Sequence, residues 1–223
     1  MEVFVLILEL IGTAAFAVSG AMVGMKKEMD IFGICVMGVI TACGGGVLRD
    51  LLLGALPPMM FQKQIYALTA IVVSVLVFLP QVHRMLNLHE HGYEMVMRLA
   101  DAAGLGVFTA MGVAAAYHHG YGDNLFFAVF LGVVTGVGGG VMRDVLGGMA
   151  PYIFVKHVYA CASIAGALLC ALLWKTAGEI EAMTLCCICV LGIRLLAAHY
   201  RWSLPKARLT IEEQKKQIQD IQR

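Results

Sequence analysis

Two short runs carry the chemistry of this chain: Gly44, Gly45 and Gly46 followed by Arg49-Asp50, and Gly138, Gly139 and Gly140 followed by Arg143-Asp144. Both runs sit inside stretches that are otherwise apolar. A charge in mid-bilayer costs at least about 2.5 kcal/mol on insertion scales, so four such side chains need a partner or water and cannot face lipid. Neighbouring residues of a helix point about 100° apart, so Arg49 is not obliged to meet Asp50. A pseudo-twofold axis would bring Arg49 to Asp144 and Arg143 to Asp50 instead, and that cross-pairing is the expectation. Each glycine weakens a helix by roughly 1 kcal/mol relative to Ala and removes the side chain that keeps another segment away. A kink or break is therefore expected at each run. Broken backbone at membrane depth survives where it is packed in protein or lines a watery cavity, which makes the six glycines, with Thr41 and Thr135 beside them, candidate pathway residues. The alternative is close helix packing, of which Gly20/Gly24 and Gly132/Gly136 are simpler small-xxx-small examples.

If the path is lined by these groups, Asp50 and Asp144 neutralise the two arginines, and hydroxyls and carbonyls near Thr41 and Thr135 set selectivity, which favours cations. The bland alternative makes the Arg-Asp pairs structural staples. Glu9 and Asp101, in matching first helices, are either cavity carboxylates or interfacial charges. His83, His89 and His91 lie in a hydrophilic loop and His118 and His119 in a turn, where solvated imidazoles are the default. The seven cysteines are apolar-run residues without disulfide spacing, and Cys186, Cys187 and Cys189 have no His or carboxylate near them in sequence, so no metal site is expected. No phosphate loop, zinc-protease motif or nucleophile elbow is evident, so neither catalytic residues nor a cofactor are expected and the chain does not read as an enzyme.

The elements that must position these groups are spanning helices. Sixty per cent of the 223 residues are hydrophobic and 14% are charged, more apolar surface than one core can hide. A net charge of +1 gives no reason to expect nucleic acid. A ruler of roughly 20 apolar residues finds seven segments: Val3 to Met25, Ile31 to about Gly54, Ile65 to Pro80, Leu99 to Tyr117, Leu125 to about Gly148, Val158 to Trp174 and Met183 to Tyr200. The first lacks a basic start and a cleavage site, so it reads as a retained span.

Thr41 to Pro57 aligns without gaps on Thr135 to Pro151, with ten of seventeen positions identical. Upstream, Glu9, Gly12 and Phe16 match Asp101, Gly104 and Phe108, so the duplicated unit covers three helices. An odd number of crossings forces the second copy to enter from the opposite face. The expected fold is an all-α membrane protein of seven transmembrane helices: a first three-helix repeat in 1–82, a cytoplasmic connection in 83–98, an inverted second repeat in 99–176, a seventh helix in 177–200 and a polar cytoplasmic tail in 201–223. Within the tail, Thr210 and Glu213 have capping-box spacing and predict a short helix. Eleven Lys and Arg outside the spans fall on the C-terminal side against Lys63 and Lys175 on the other. That bias predicts a plasma-membrane protein with its N-terminus outside and its C-terminus in the cytoplasm.

Two GGGxxRD motifs, one per three-helix repeat, followed by a seventh helix, resemble the prokaryotic relatives of the trimeric intracellular cation (TRIC) channels, a family that also carries the name glycine transporter. The resemblance covers roughly residues 3 to 200. It implies a homotrimer in lipid with a potassium- and sodium-conducting pore in every protomer, formed around kinked second and fifth helices at Gly44 to Gly46 and Gly138 to Gly140, with Arg49, Asp50, Arg143 and Asp144 beside them. The Lys-Glu-Val motif of the animal members is absent. A carrier of glycine or another small zwitterion, held by an Arg and a positive helix end, uses the same residues, and a non-conducting scaffold is the third reading.

Overall fold

The computed structural model describes residues 2–82, 90–155, 158–200 and 202, and every regular element among them is a helix. The helices are α1 Glu2–Lys26, α2 Ile31–Leu53, α3 Met59–Gln62, α4 Ile65–Phe78, α5 Glu90–His118, α6 Leu125–Leu146, α7 Tyr152–Val155, α8 Tyr159–Ala177 and α9 Glu179–His199. Six of them, α1, α2, α5, α6, α8 and α9, are long and apolar enough to cross a membrane. Their outer faces carry bare apolar side chains, with Phe32 of α2 and Phe126 of α6 each at least 74% exposed. Such a surface suits lipid.

Local chemistry sets the boundaries. Asp30 caps α2 by accepting the Gly33 N–H at 2.7 Å, and Asn124 caps α6 by accepting that of Phe127 at 3.0 Å. Both helices also end alike. Gly54 (φ 69°) and Gly148 (φ 62°) take the left-handed conformation, which lets the Ala55 N–H reach the Asp50 carbonyl at 2.9 Å and the Met149 N–H the Asp144 carbonyl at 2.8 Å. The Arg-Asp pairs thus lie in the last turns of two equivalent helices.

Three boundaries differ from expectation. Of the expected kink or break at each glycine run, no break is present: helix continues without interruption through both. The third apolar segment stops at Phe78, because the residue before Pro80 is driven to extended backbone: Leu79 has φ −56° and ψ 135°. Of the segment 83–98 expected as a connecting loop, residues from Glu90 onward belong to α5, supported by a Glu94–Arg98 pair one turn apart and by the Tyr93 hydroxyl donating to the Met22 carbonyl. The loop histidines His83 and His89 and the tail from Ser203, with Thr210 and Glu213, lie outside the described residues.

Helices α1, α2 and α4 pack on one another, as do α5, α6 and α8, and the two groups meet through α1 with α5 and α2 with α6. The glycines make that junction. A Cβ on Gly45 would overlap the Thr135 carbonyl, and one on Gly139 would overlap the Thr41 carbonyl, so α2 and α6 cross backbone to backbone. Beside the crossing, the Phe16 and Phe108 rings stack with centroids 5.3 Å apart, each lying over the glycine that matches its partner's own, Phe16 over Gly104 and Phe108 over Gly12. Helix α9 packs outside, on α5 and α8.

Candidate functional site

Two charged clusters flank the α2–α6 crossing, one toward each end of the bundle. The first lies toward the end where α1 begins. Arg49 Nε donates to Asp50 Oδ1 at 2.8 Å and Nη2 approaches the same oxygen at 2.8 Å, while Oδ2 accepts the Met59 N–H at the start of α3 at 2.7 Å. Alongside, the Tyr66 hydroxyl of α4 donates to Glu9 of α1. The second cluster repeats the plan. Arg143 Nε donates to Asp144 Oδ1 at 2.9 Å, and Asp144 Oδ2 accepts the Tyr152 N–H at 2.8 Å. Here Nη1 also reaches Asp101 at 2.5 Å and the Ser19 hydroxyl, and the guanidinium carbon lies 5.2 Å over the Tyr152 ring.

The expected cross-pairing is therefore replaced by pairing within each dipeptide. The long Arg side chain curls back through its Nε edge, and the neighbouring carboxylate is already aimed by a backbone N–H beyond the end of the helix. That leaves each Asp held from both sides. Coulomb attraction inside the bundle then needs no second helix, and Arg143 alone uses one, through Asp101.

Water access separates the clusters. Arg143, Asp144 and Asp101 are fully buried, whereas Glu9, Arg49 and Asp50 retain 5 to 7% exposure. The exposed atoms look into a cavity of about 40 Å³ between α1, α2, α4 and α5, bounded by Thr13, Cys43, Gly46 and Tyr66. Its volume admits water. A vestibule of about 320 Å³ shares Glu9, Arg49, Asp50 and Met59 with it and extends past Lys63, His118 and Glu179 at the end where α1 begins. Three carboxylates, Glu9, Asp50 and Glu179, face two fixed cations, Arg49 and Lys63, along this route. Against these fixed charges the surplus is negative, with His118 Nε2 standing 3.2 Å from Glu179.

A family model described as a glycine transporter matches residues 6–81 and 98–175, each range holding one GGGxxRD motif. The chain belongs to this glycine transporter (TRIC) family. Among curated relatives, it is 37% identical to the inner membrane protein YadS of Escherichia coli K12 over 89% of this chain and 93% of that one. It is 32% identical to the membrane protein YvgT of Bacillus subtilis 168, over 92% and 98%. Among solved structures, a prokaryotic TRIC channel in 0.5 M KCl superposes with a TM-score of 0.83 at 30% identity, covering 92% of this chain and all of that chain. The TRIC trimeric intracellular cation channel orthologue from Rhodobacter sphaeroides gives 0.80 at 30% identity, over 89% and 99%. A third, solved for the structural basis of conductance through TRIC cation channels, gives 0.81 at 34% identity, over 92% and 97%. This TRIC-family chain is a multi-pass membrane protein.

Of the residues singled out in its sequence, the TRIC-family chain brings Gly46, Arg49 and Asp50 to the water-sized cavity. Gly45 and Gly139 lie in the crossing, Gly44 against Met142, Gly138 against Leu48 and Gly140 against the Tyr159 hydroxyl. The Thr41 and Thr135 hydroxyls are spent on the Met37 and Leu131 carbonyls one turn back, each at 2.6 Å, and pack on Gly20 and Gly112. Sequence reasoning missed Tyr66, Tyr159, Ser19 and Arg194. Tyr66 and Tyr159 sit at corresponding places, but with the motif ending at Pro57 and Pro151 nothing marked them. Arg194 was visible as a charge inside an apolar span.

Proposed function

We propose that the protein conducts monovalent cations, potassium and sodium, through a path within each protomer that enters by the vestibule at Glu9, Arg49 and Asp50. The observation that carries this reading is the water-sized cavity reaching a charged cluster at membrane depth with more carboxylates than cations. The route continues, on this reading, past Gly46 and along the α2–α6 crossing, where Gly44, Gly45, Gly138, Gly139, Gly140, Thr41 and Thr135 offer only backbone and small side chains, to Arg143 and Asp144. Two inverted three-helix repeats and a seventh helix supply the frame. In support of counting α4 as the remaining span in spite of its 14 residues, it packs along α1 from Glu9, through Tyr66, to Met22, through Val77. The assembly is a homotrimer in lipid, by likeness to the trimeric channel orthologue. The N-terminus faces outward and the vestibule opens there, by the Lys and Arg bias.

A second reading, a glycine carrier, has one observation behind it: the cavity floor offers a guanidinium and carboxylates together, the two groups a zwitterion needs. Purified protein in liposomes separates the two. Unsaturating potassium currents that reverse near the potassium potential, reduced in Glu9→Gln, are the expected result. Saturable, gradient-coupled uptake of labelled glycine without such currents would replace the channel by the carrier, and neither flux in folded protein would leave the scaffold.

A further inference from the structure

The likeness between the two clusters ends at α9, which lies outside the duplicated unit. Gly106 and Gly166 let Cys186, Cys187 and Val190 of α9 settle on α5 and α8. Met183, Cys186, Val190 and Ala197 form its buried face, and Arg194 falls on that same face one turn beyond Val190. Its guanidinium carbon lies 4.8 Å over the ring of Tyr159, and its Nε is buried without a hydrogen-bond partner. Tyr159 is 1% exposed and stands beside Asp101, whose Oδ2 is also buried without a hydrogen-bond partner. Tyr66, in the matching place beside Glu9 and Arg49, borders the water-sized cavity instead.

The charges explain why this difference matters. Asp101 and Asp144 face Arg143 alone, so the cluster carries a formal surplus of one negative charge in a place with no exposure. Such a surplus draws in a proton, water or a cation unless another positive group offsets it. Arg194, delivered over the electron-rich face of Tyr159, is that group. We propose that Arg194 is a positioning residue: by clamping Tyr159 against the Asp101, Arg143 and Asp144 cluster it keeps this end of the path dry and shut, and withdrawal of α9 from Tyr159 admits water and a monovalent cation to the carboxylates. The proposal rests on the conduction reading only for its effect on flux, since wetting of the cluster is measured separately.

The test compares full-length wild type, Arg194→Met and Arg194→Lys in liposomes by two readouts. Radiolytic hydroxyl-radical labelling, read by mass spectrometry, reports water at Tyr159 with Tyr66 as internal reference, and potassium flux reports the open path. The expected result is a severalfold rise in Tyr159 labelling and in flux for Arg194→Met, with Arg194→Lys, which keeps the cation, near wild type. A merely structural Arg194 would change melting but leave the ratio of Tyr159 to Tyr66 labelling alone, and that outcome overturns the proposal. Raised flux with Tyr159 still protected overturns it too. Raised Tyr159 labelling without any flux supports the clamp and counts instead against the conduction reading. Should Arg194→Met fail to fold, Arg194→Gln beside Arg194→Lys decides by the same ratio, equal labelling overturning the clamp.

Discussion

Three consecutive glycines at the centre of α2 have identical intrinsic propensity, yet alanine in each should give three different outcomes. In a helix interior, Gly→Ala gains about 0.5–1 kcal/mol through the lost freedom of the unfolded chain. At Gly46 nothing opposes the gain, because the closest neighbour of a new Cβ is Arg49 Nη2 at 4.0 Å. At Gly44 the methyl would lie 2.6 Å from Met142 Sδ, the far end of a flexible thioether that can swing away, so the net change is near zero. At Gly45 the obstacle is backbone: the Thr135 carbonyl oxygen overlaps, its carbon lies at 3.1 Å and Gly139 N at 3.4 Å. Neither helix can yield without opening the crossing, so the upper end of overpacking costs applies, about 3 kcal/mol, or about 2 kcal/mol after the propensity gain. Gly46→Ala and Gly45→Ala should therefore differ by about 3 kcal/mol, a gap of roughly 6–12 °C in melting temperature for a chain of this size. Thermal unfolding of purified protein followed by size-exclusion fluorescence measures it. If Gly45→Ala and Gly46→Ala melt within about 2 °C of each other, the backbone-to-backbone crossing is not what the glycines are for.

Further outcomes follow from the same geometry. Gly46→Ala, although stable, places a methyl at the wall of the 40 Å³ cavity and should pass potassium more slowly than wild type in liposome flux. Asp101→Asn weakens a fully buried hydrogen bond to Arg143, which keeps Asp144, and should cost about 1.5–3 kcal/mol in unfolding experiments, whereas Glu9→Gln, beside the cavity, should cost no more than about 1.5 kcal/mol. Glu9→Gln should nevertheless lower the permeability ratio of potassium to chloride in reversal-potential measurements, since it removes the surplus carboxylate of the vestibule. On the exposed turn before α6, Asp123 takes a hydrogen bond from Lys175 at 2.6 Å, which holds its carboxyl below the ordinary range. Its small, salt-screened contribution is present above the unfolded carboxylate pKa of about 3.9 and is lost as pH falls through the lower folded value. Any melting difference between wild type and Asp123→Asn should therefore appear at neutral pH and low salt and vanish on acidification.

The sequence by itself determined the class of the molecule and the places where chemistry would sit. Apolar runs near the bilayer's length, the duplicated GGGxxRD segment and the matched Glu9 and Asp101 are read directly, because span length and repeat are properties of the chain alone. Gly54 and Gly148 likewise fall where a left-handed cap ends each helix. Only the tertiary structure decided what each of those residues touches. The glycine runs read as kinks or breaks, since propensity counts each residue in isolation; packing turned Gly45 and Gly139 into a crossing and left Gly46 at the wall of a cavity. Arg49 and Arg143 read as cross-partners because helix geometry separates neighbours by about 100°, but a side chain with four rotatable bonds and an Asp pinned by the Met59 or Tyr152 N–H made the short pairing the stable one. Nor does any pattern within the two GGGxxRD segments explain why one cluster borders a cavity and its counterpart is fully buried. Beside the buried cluster, Arg194 comes to lie over Tyr159 only through the packing of α9 on α5 and α8.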